Sequence, residues 1–459
     1  MPEVIYSGES SPAEDLKVKL SNFIASEDKI SLLRQIQDEW PADVADALEQ
    51  IDIIETAKIF KTLLLGDVTL CAEVLIELEP GVIYQLYEYL TIQEWAWIFT
   101  ELSDDDVVSV LEIFPEQAQE KLVARLPRED KADVLELMNF PEDSAGRIMT
   151  SEFLAIDQNE TVGSSIEKVR KTKDLDPTNL FFVYVTSKDC LVGMVTLRQL
   201  LLNPNKEKLA NIMRTDVAAV GPNMDQEEVA ELVRKHDEVS VPVVDETGKI
   251  LGIITVDDVI DVIDEEQDED IYRIIGTSDE ELLAGGQTHK IVALRLPWLS
   301  AAFCGSMLVS WMMGYADRSL FQDAAAIFVF VPLICAMGGN VGVQSSTIMA
   351  RFLSTAQPDW REARRAVFKE ARVGLTLGII CGLAVGLFAL WQSGSGMMIT
   401  VMTAMICAMT SAATTGTIIP IVMKRFGFDP ALATGPFVTS FNDVLATTVY
   451  FIIALAFFP

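Results

Sequence analysis

From Ile291 onward the sequence holds four stretches without a single charge, 296–316, 324–350, 373–391 and 397–423, and a fifth, 431–458, whose one charge is Asp443. A helix needs about 20 apolar residues to cross a hydrocarbon core of about 30 Å, so five membrane spans are expected. Charge divides the chain at the same place. Of 68 acidic residues only 7 lie beyond residue 290, against 10 of the 35 bases, which leaves −36 on residues 1–290 and +3 on the rest. A single soluble domain is excluded. Nucleic acid is excluded as a partner, because so acidic a region repels phosphate.

The connections between spans carry the topology. Arg351, Arg361, Arg364, Arg365, Lys369 and Arg372 lie between the second and third spans, and Lys424 and Arg425 between the fourth and fifth; the other two connections have only Arg318. The positive-inside rule puts the basic connections in the cytoplasm, which predicts a multi-pass protein of the cell membrane, the inner membrane in a bacterium, with a cytoplasmic N-terminus and an external C-terminus. The opening residues, Met1 to Tyr6, lack the basic and apolar regions of a signal peptide, in keeping with a cytosolic start. Two histidines, His236 and His289, and six cysteines without a Cys-x-x-Cys pair argue against a nitrogen and sulfur metal site. The cysteines are expected to be small buried hydrophobes. Any metal must be held by oxygen.

Two features inside the spans point to an ion pathway. In the second span, Gly338-Gly339-Asn340-Val341-Gly342 and the polar residues to Thr347 suggest an interrupted helix lining a watery path, or close helix packing through small residues. Residues 411–417 fit small-residue packing equally well. In the fifth span Asp443 would cost about 2.5–3.5 kcal/mol at the membrane centre, and no opposite charge lies mid-span to offset it. A path for a hard cation is favoured over a carboxylate that ties two helices together. Thr439, Asn442, Gly338, Gly339 and Asn340 are the candidate pore-lining partners of Asp443.

Residues 148–263 contain a duplication. Ile148-Met149-Thr150 returns as Ile212-Met213-Arg214, and Gly193-Met194-Val195-Thr196-Leu197-Arg198-Gln199 returns as Gly252-Ile253-Ile254-Thr255-Val256-Asp257-Asp258. The pair resembles tandem CBS domains. That resemblance makes Thr255 and Asp258, with Thr196 and Arg198 in the first copy, candidates to hold a regulatory nucleotide such as ATP; Gln199 stands where the second carboxylate would be. Residues 14–140 read as short amphipathic helices, each opened by a Ser or Asp N-cap, stacked into a superhelix. Asp104, Asp105 and Asp106 serve equally well as caps or as ion ligands. Between repeat and membrane runs the acid-rich stretch 257–270. As a helix it puts Asp258, Asp261 and Glu265 on one face and Glu266, Glu269 and Asp270 on another, a crowding that cations would relieve.

These parts in this order resemble the MgtE family of magnesium channels over nearly the whole chain. The most specific pieces are 141–150, Gly338 to Ser345, and Asn442-Asp443-Val444. The resemblance implies a homodimer in membrane lipid, with Asp443 of each subunit coordinating hydrated Mg2+. It also implies a cytosolic Mg2+ sensor built from Asp225, Glu227, Asp237, Asp258, Asp261, Glu266, Glu269 and Asp270, with Asp429 on the membrane side. In the front domain Asp105 matches, while Ser109 stands where the family has an acid. The expected organisation is an all-α superhelical domain (1–140), an α/β tandem CBS pair (141–263), an acidic plug-like connecting helix (264–290) and a five-helix membrane domain (291–459). The expected function is a Mg2+ channel closed by cytosolic Mg2+, and not an enzyme. A divalent-cation carrier coupled to Na+ or H+, or a membrane-anchored nucleotide receptor, are the alternatives.

Overall fold

The computed structural model describes residues 16–20, 33, 36, 37, 39–172, 177–278, 288–319, 325–355, 360–433 and 435–457. The outermost front residues, 279–287 of the expected plug segment and 320–324 of the first external connection lie outside them. The chain divides into two compact units, Met1–Glu266 and Gln267–Pro459.

The first unit opens with short helices: α1 (Pro41–Glu49), α2 (Ile53–Gly66), α3 (Val68–Ile76), α4 (Pro80–Leu86), α5 (Ile92–Phe99), α6 (Asp104–Glu112), α7 (Glu116–Val123) and α8 (Arg128–Leu137). Their lengths follow from their ends. Asp52, Asp67 and Thr91 cap α2, α3 and α5 through side-chain oxygens. The other starts depart from the expected Ser or Asp caps. Pro41 and Pro80 occupy the first turns of α1 and α4, and Pro115 and Pro127 precede α7 and α8, where a missing N–H costs nothing. At α6 the Ser103 hydroxyl donates to Asp106 at 2.7 Å instead of accepting from the helix. Each helix buries one apolar stripe in a common core around Trp95, Phe99 and Phe114.

The motif at 141–150 joins these helices to the repeat. Arg147, only 8 % exposed, pairs with Glu112 and donates to the carbonyls of Leu137 (3.3 Å) and Phe140 (3.4 Å). Strand β1 (Ala155–Asp157) is followed by α9 (Val162–Lys171), β2 (Phe182–Ser187), β3 (Cys190–Thr196), α10 (Leu197–Leu202) and α11 (Leu209–Ile212). The second copy supplies α12 (Gln226–His236), β4 (Ser240–Val244) and β5 (Ile250–Thr255). β2 lies parallel to β1 and antiparallel to β3, β4 is antiparallel to β5, and each hairpin has its irregularity at the matching place. The copies exchange their lead-in segments. Thr150 bridges Ile253 of the second copy, and Arg214 bridges Met194 of the first. A Cβ at Gly193 or Gly252 would stand 2.7 Å from the carbonyl oxygen of Arg214 or Thr150. The glycine that opens each Gly-x-x-Thr signature is therefore required by the exchanged strand.

Helix α13 (Val256–Ile275) runs on from β5 without a break. Beyond it come α14 (Thr288–Ser319), α15 (Ala325–Phe328), α16 (Val331–Thr355), α17 (Trp360–Ser393), α18 (Ser395–Arg425) and α19 (Gly435–Phe457). Five helical stretches are long and apolar enough to cross a membrane, with α15 and α16 sharing one. The interruption expected at Gly338–Gly342 is absent: α16 is continuous through it. Close packing is what the glycines serve. A Cβ at Gly416 of α18 would lie 2.4 Å from the Gly342 carbonyl oxygen, and one at Gly342 would lie 1.8 Å from Asn442 Nδ2. A four-residue glycine repeat missed in the sequence, Gly374, Gly378, Gly382 and Gly386, lays α17 along α18 in the same manner. Gly378→Val would force a side chain to within 2.8 Å of the Ile406 Cα. Overpacking of that kind costs about 1–3 kcal/mol, and a lowered melting temperature of the purified protein is the expected result. Cys304 and Cys407 are exposed on their helices, not buried as expected, and Cys71 alone of the six is fully buried.

Candidate cation sites

In the first unit, the acids that open α6 face the start of α13. Asp105 is 8 % exposed, and its Oδ1 has no hydrogen-bond partner. Burial, then Asp258, then Asp106 hold its pKa well above the carboxylate range. Asp258 is pushed up to about 7 by burial and by Asp257 and Asp106, against the two Thr255 hydrogen bonds it accepts. Asp261 is pushed up to about 6 by burial, Glu77, Asp257, Asp106 and Asp264. Asp104, raised mainly by burial, accepts from the Ser151 hydroxyl at 2.5 Å. Among the described residues no three acidic, histidine or cysteine side chains converge closely enough to ligate a bare ion. The orphaned Asp105 oxygen and the mutual repulsion suit a cation that keeps its waters, as Mg2+ does. Sequence reasoning reached Asp105, Asp106, Asp258 and Asp261 but did not single out Asp257, which adds its charge to the cluster.

The sign of the pH dependence follows. A carboxylate with a raised folded pKa binds more protons folded than unfolded, so its stabilising contribution is present below about pH 4 and lost as pH rises through 6 to 7. In a chelator, the full-length protein should melt higher at pH 5 than at pH 7.5. Added Mg2+ should close most of that gap, as scanning calorimetry can read.

The remaining sensor candidates are less gathered. The Asp225 carboxylate accepts from the Glu227 N–H and caps α12, while Asp237 ends it in the left-handed region, about 16 Å away along an 11-residue helix. Within one chain these acids form no single site. Glu266 accepts from Gln226 Nε2 at 2.8 Å. In the second unit Glu269 and Asp429 both pair with Arg273. Burial and Asp429 raise the Asp270 pKa, opposed by Arg273. Arg273 was overlooked in the sequence, although its place four residues after Glu269 was the signal.

The Gly-x-x-Thr-x-x-Asp signature works locally as a helix cap. The Thr255 N–H and hydroxyl donate to Asp258 Oδ2 at 3.1 and 2.5 Å. In the first copy Thr196 and Gln199 form the equivalent reciprocal cap, with Arg198 exposed beside it.

In the membrane unit Asp443 is half-buried in the first half of α19. Beside it Gly339 leaves room for no more than a methyl group: a Cβ there would make ordinary contact, 3.8 Å from Asp443 Oδ1 and 3.4 Å from Thr439 Cγ2. Gly338 and Gly339 are buried and Asn340 is exposed. Asn442, expected to line the pore, is 1 % exposed; it accepts from the Thr415 hydroxyl at 3.0 Å and wedges α19 between α16 and α18. Its polarity serves packing because the 442 side of α19 meets α16 and α18, while the 443 side is only half-buried. Cys335, which the sequence did not single out, lies against the Asp443 carbonyl and 3.3 Å from Thr447 Oγ1.

Residues 331–453 match the family model described as divalent cation transporter, residues 40–143 that of the MgtE intracellular N domain, and 145–204 and 209–265 that of the CBS domain. The chain is 31 % identical to the magnesium transporter MgtE of Bacillus subtilis across 94 % of both chains. It belongs to the MgtE family of magnesium transporters. Its likeness to the Thermus thermophilus MgtE is 31 % over 96 % of this chain and 98 % of that one, and to the Enterococcus faecalis MgtE 36 % over 72 % of both. Among solved structures, the cytosolic domain of the Mg2+ channel MgtE in complex with ATP matches with a TM-score of 0.50 and 30 % identity, covering 54 % of this chain and 99 % of that one. The soluble part of a magnesium transporter matches with 0.51 and 26 %, over 55 % and 99 %. The expected fold class stands: helical front, CBS pair and helical membrane region. As an MgtE member the chain is a multi-pass membrane protein of a transporter family, not an enzyme.

Proposed function

We propose that this chain forms a Mg2+ channel, closed by cytosolic Mg2+ through its acidic sensor. The observation that carries the reading is Asp443, a half-buried carboxylate within an apolar span, with Gly339 packed beside it and no ion pair among the described residues. A hydrated Mg2+ passing that carboxylate keeps its waters and needs no cage of protein ligands. The N-terminus and the sensor lie in the cytosol, the C-terminus lies outside the cell membrane, and two subunits in lipid flank one pore. Residues 1–140, 141–263, 264–290 and 291–459 act as sensor front, nucleotide-responsive pair, plug and pore. At high Mg2+ the carboxylates of α6 and α13 share cations and draw together; at low Mg2+ they repel and the pore opens. Mg2+ flux into liposomes bearing the purified protein tests this. Flux that needs no Na+ or H+ gradient and rises linearly with the Mg2+ gradient supports a channel. Saturating, counter-ion-coupled flux makes it a carrier.

The relative whose cytosolic domain binds ATP supports nucleotide binding here. The second copy, with Thr255 and Asp258, should hold ATP better than the first, where Gln199 replaces the carboxylate. Calorimetry should give one ATP per chain; two equal sites would contradict the asymmetry.

A further inference from the structure

α17 is longer than the membrane it crosses. Its 34 residues extend about 51 Å, against a hydrocarbon core of about 30 Å. The apolar part begins at Val373, so the first three to four turns project from the membrane on the side of the basic connections. One side of those turns is buried: Ala363, Gly374 and Glu370, which accepts from the Ser345 hydroxyl at 3.0 Å. The other side exposes Arg361 and, around a shallow groove of about 460 Å³, Arg364, Arg365, Phe368, Lys369 and Arg372. Among the described residues the four arginines make no ion pair, and Lys369 has only Glu370 at 3.9 Å. Other bases of this unit are spent within the protein, Arg273 on Glu269 and Asp429, and Lys424 on the Leu353 carbonyl.

We propose that this face binds the headgroup of an anionic phospholipid. Arginine forks match phosphate geometry, and long basic side chains reach from a helix flank to the headgroup level. What selects lipid over a soluble anion is the continuation of the same face. Phe368 (64 % exposed), Val373, Leu375 and Ile379 climb the helix directly above the bases, apolar and uncovered, where acyl chains would lie. A free phosphate has no use for that wall. From Val373 upward that wall belongs to the charge-free span, which a soluble domain does not enter. Only the choice of leaflet rests on the orientation proposed above.

The test is native mass spectrometry of the full-length protein in mixed phosphatidylglycerol and phosphatidylcholine. Wild type should retain phosphatidylglycerol in preference, and inorganic phosphate at millimolar concentration should leave it bound. Arg365→Gln/Arg372→Gln should lower the preference about thirtyfold. Arg365→Lys/Arg372→Lys, which keeps the charge and the topology signal, should retain most of it. Equal retention of both lipids, displacement by phosphate, or an undiminished preference in the glutamine variant would each overturn the proposal. So would a glutamine variant that alters closure by Mg2+ but not lipid retention, since the face would then dock on the acidic unit. No arm requires flux, so this inference and the channel reading can fail separately.

Discussion

Asp443→Ala should reduce Mg2+ flux to background while the protein remains folded and monodisperse. A carboxylate at the membrane centre costs about 2.5–3.5 kcal/mol, so alanine should ease insertion. The residues that hold α19 in place lie elsewhere: Asn442 against α16 and α18, and Gly342 and Gly416 at the crossing. Nothing in that packing depends on the Asp443 side chain. Asn442→Ala gives the opposite pattern, lower stability from a cavity between three helices together with residual flux. Comparing the two in reconstituted liposomes separates pathway from scaffold. Wild-type flux in a well-folded Asp443→Ala protein would remove the carboxylate from the ion path.

The second large effect concerns closure, and two variants should move it in opposite directions. Deleting residues 1–140 removes α6 and the acids that face α13, leaving a channel that conducts but resists closure by cytosolic Mg2+. Neutralising Glu266, Glu269 and Asp270 should act in the same sense. Asp105→Asn with Asp258→Asn removes the repulsion a cation would otherwise screen, while the amide oxygen introduced in place of the Asp258 carboxylate can still accept from Thr255. That protein should close at several-fold lower Mg2+ than wild type. Shifting a pore from 1:99 to 99:1 takes about 5.5 kcal/mol, more than one loose carboxylate site supplies, so the acids must act together. Patch recordings against cytosolic Mg2+ measure both. Unchanged inhibition in the deletion protein would refute the sensor mechanism and leave the pore assignment standing.

Five spans, an internal repeat and a helical front were legible in the chain because each is written in one dimension. Charge-free length, a recurring Gly-x-x-Thr and helical apolar spacing do not depend on a distant partner. Asp443 was legible for the same reason, since a lone charge in an apolar run is conspicuous wherever the helix packs. What Gly338–Gly342 does was not legible: glycines can break a helix or let two meet, and only Asn442 and Gly416 arriving from other helices decided for contact. The same holds for Asn442, which is buried between helices while its neighbour is only half-buried. Asp105 reads as a cap or a ligand until α13 brings Asp258 against it, and Arg273 stands out only where Asp429, 156 residues on, closes around it. Local composition fixes which segments form and which must leave water. Which polar groups meet, and so which of them hold ions and which hold helices together, is set by burial and distance between segments far apart in the chain.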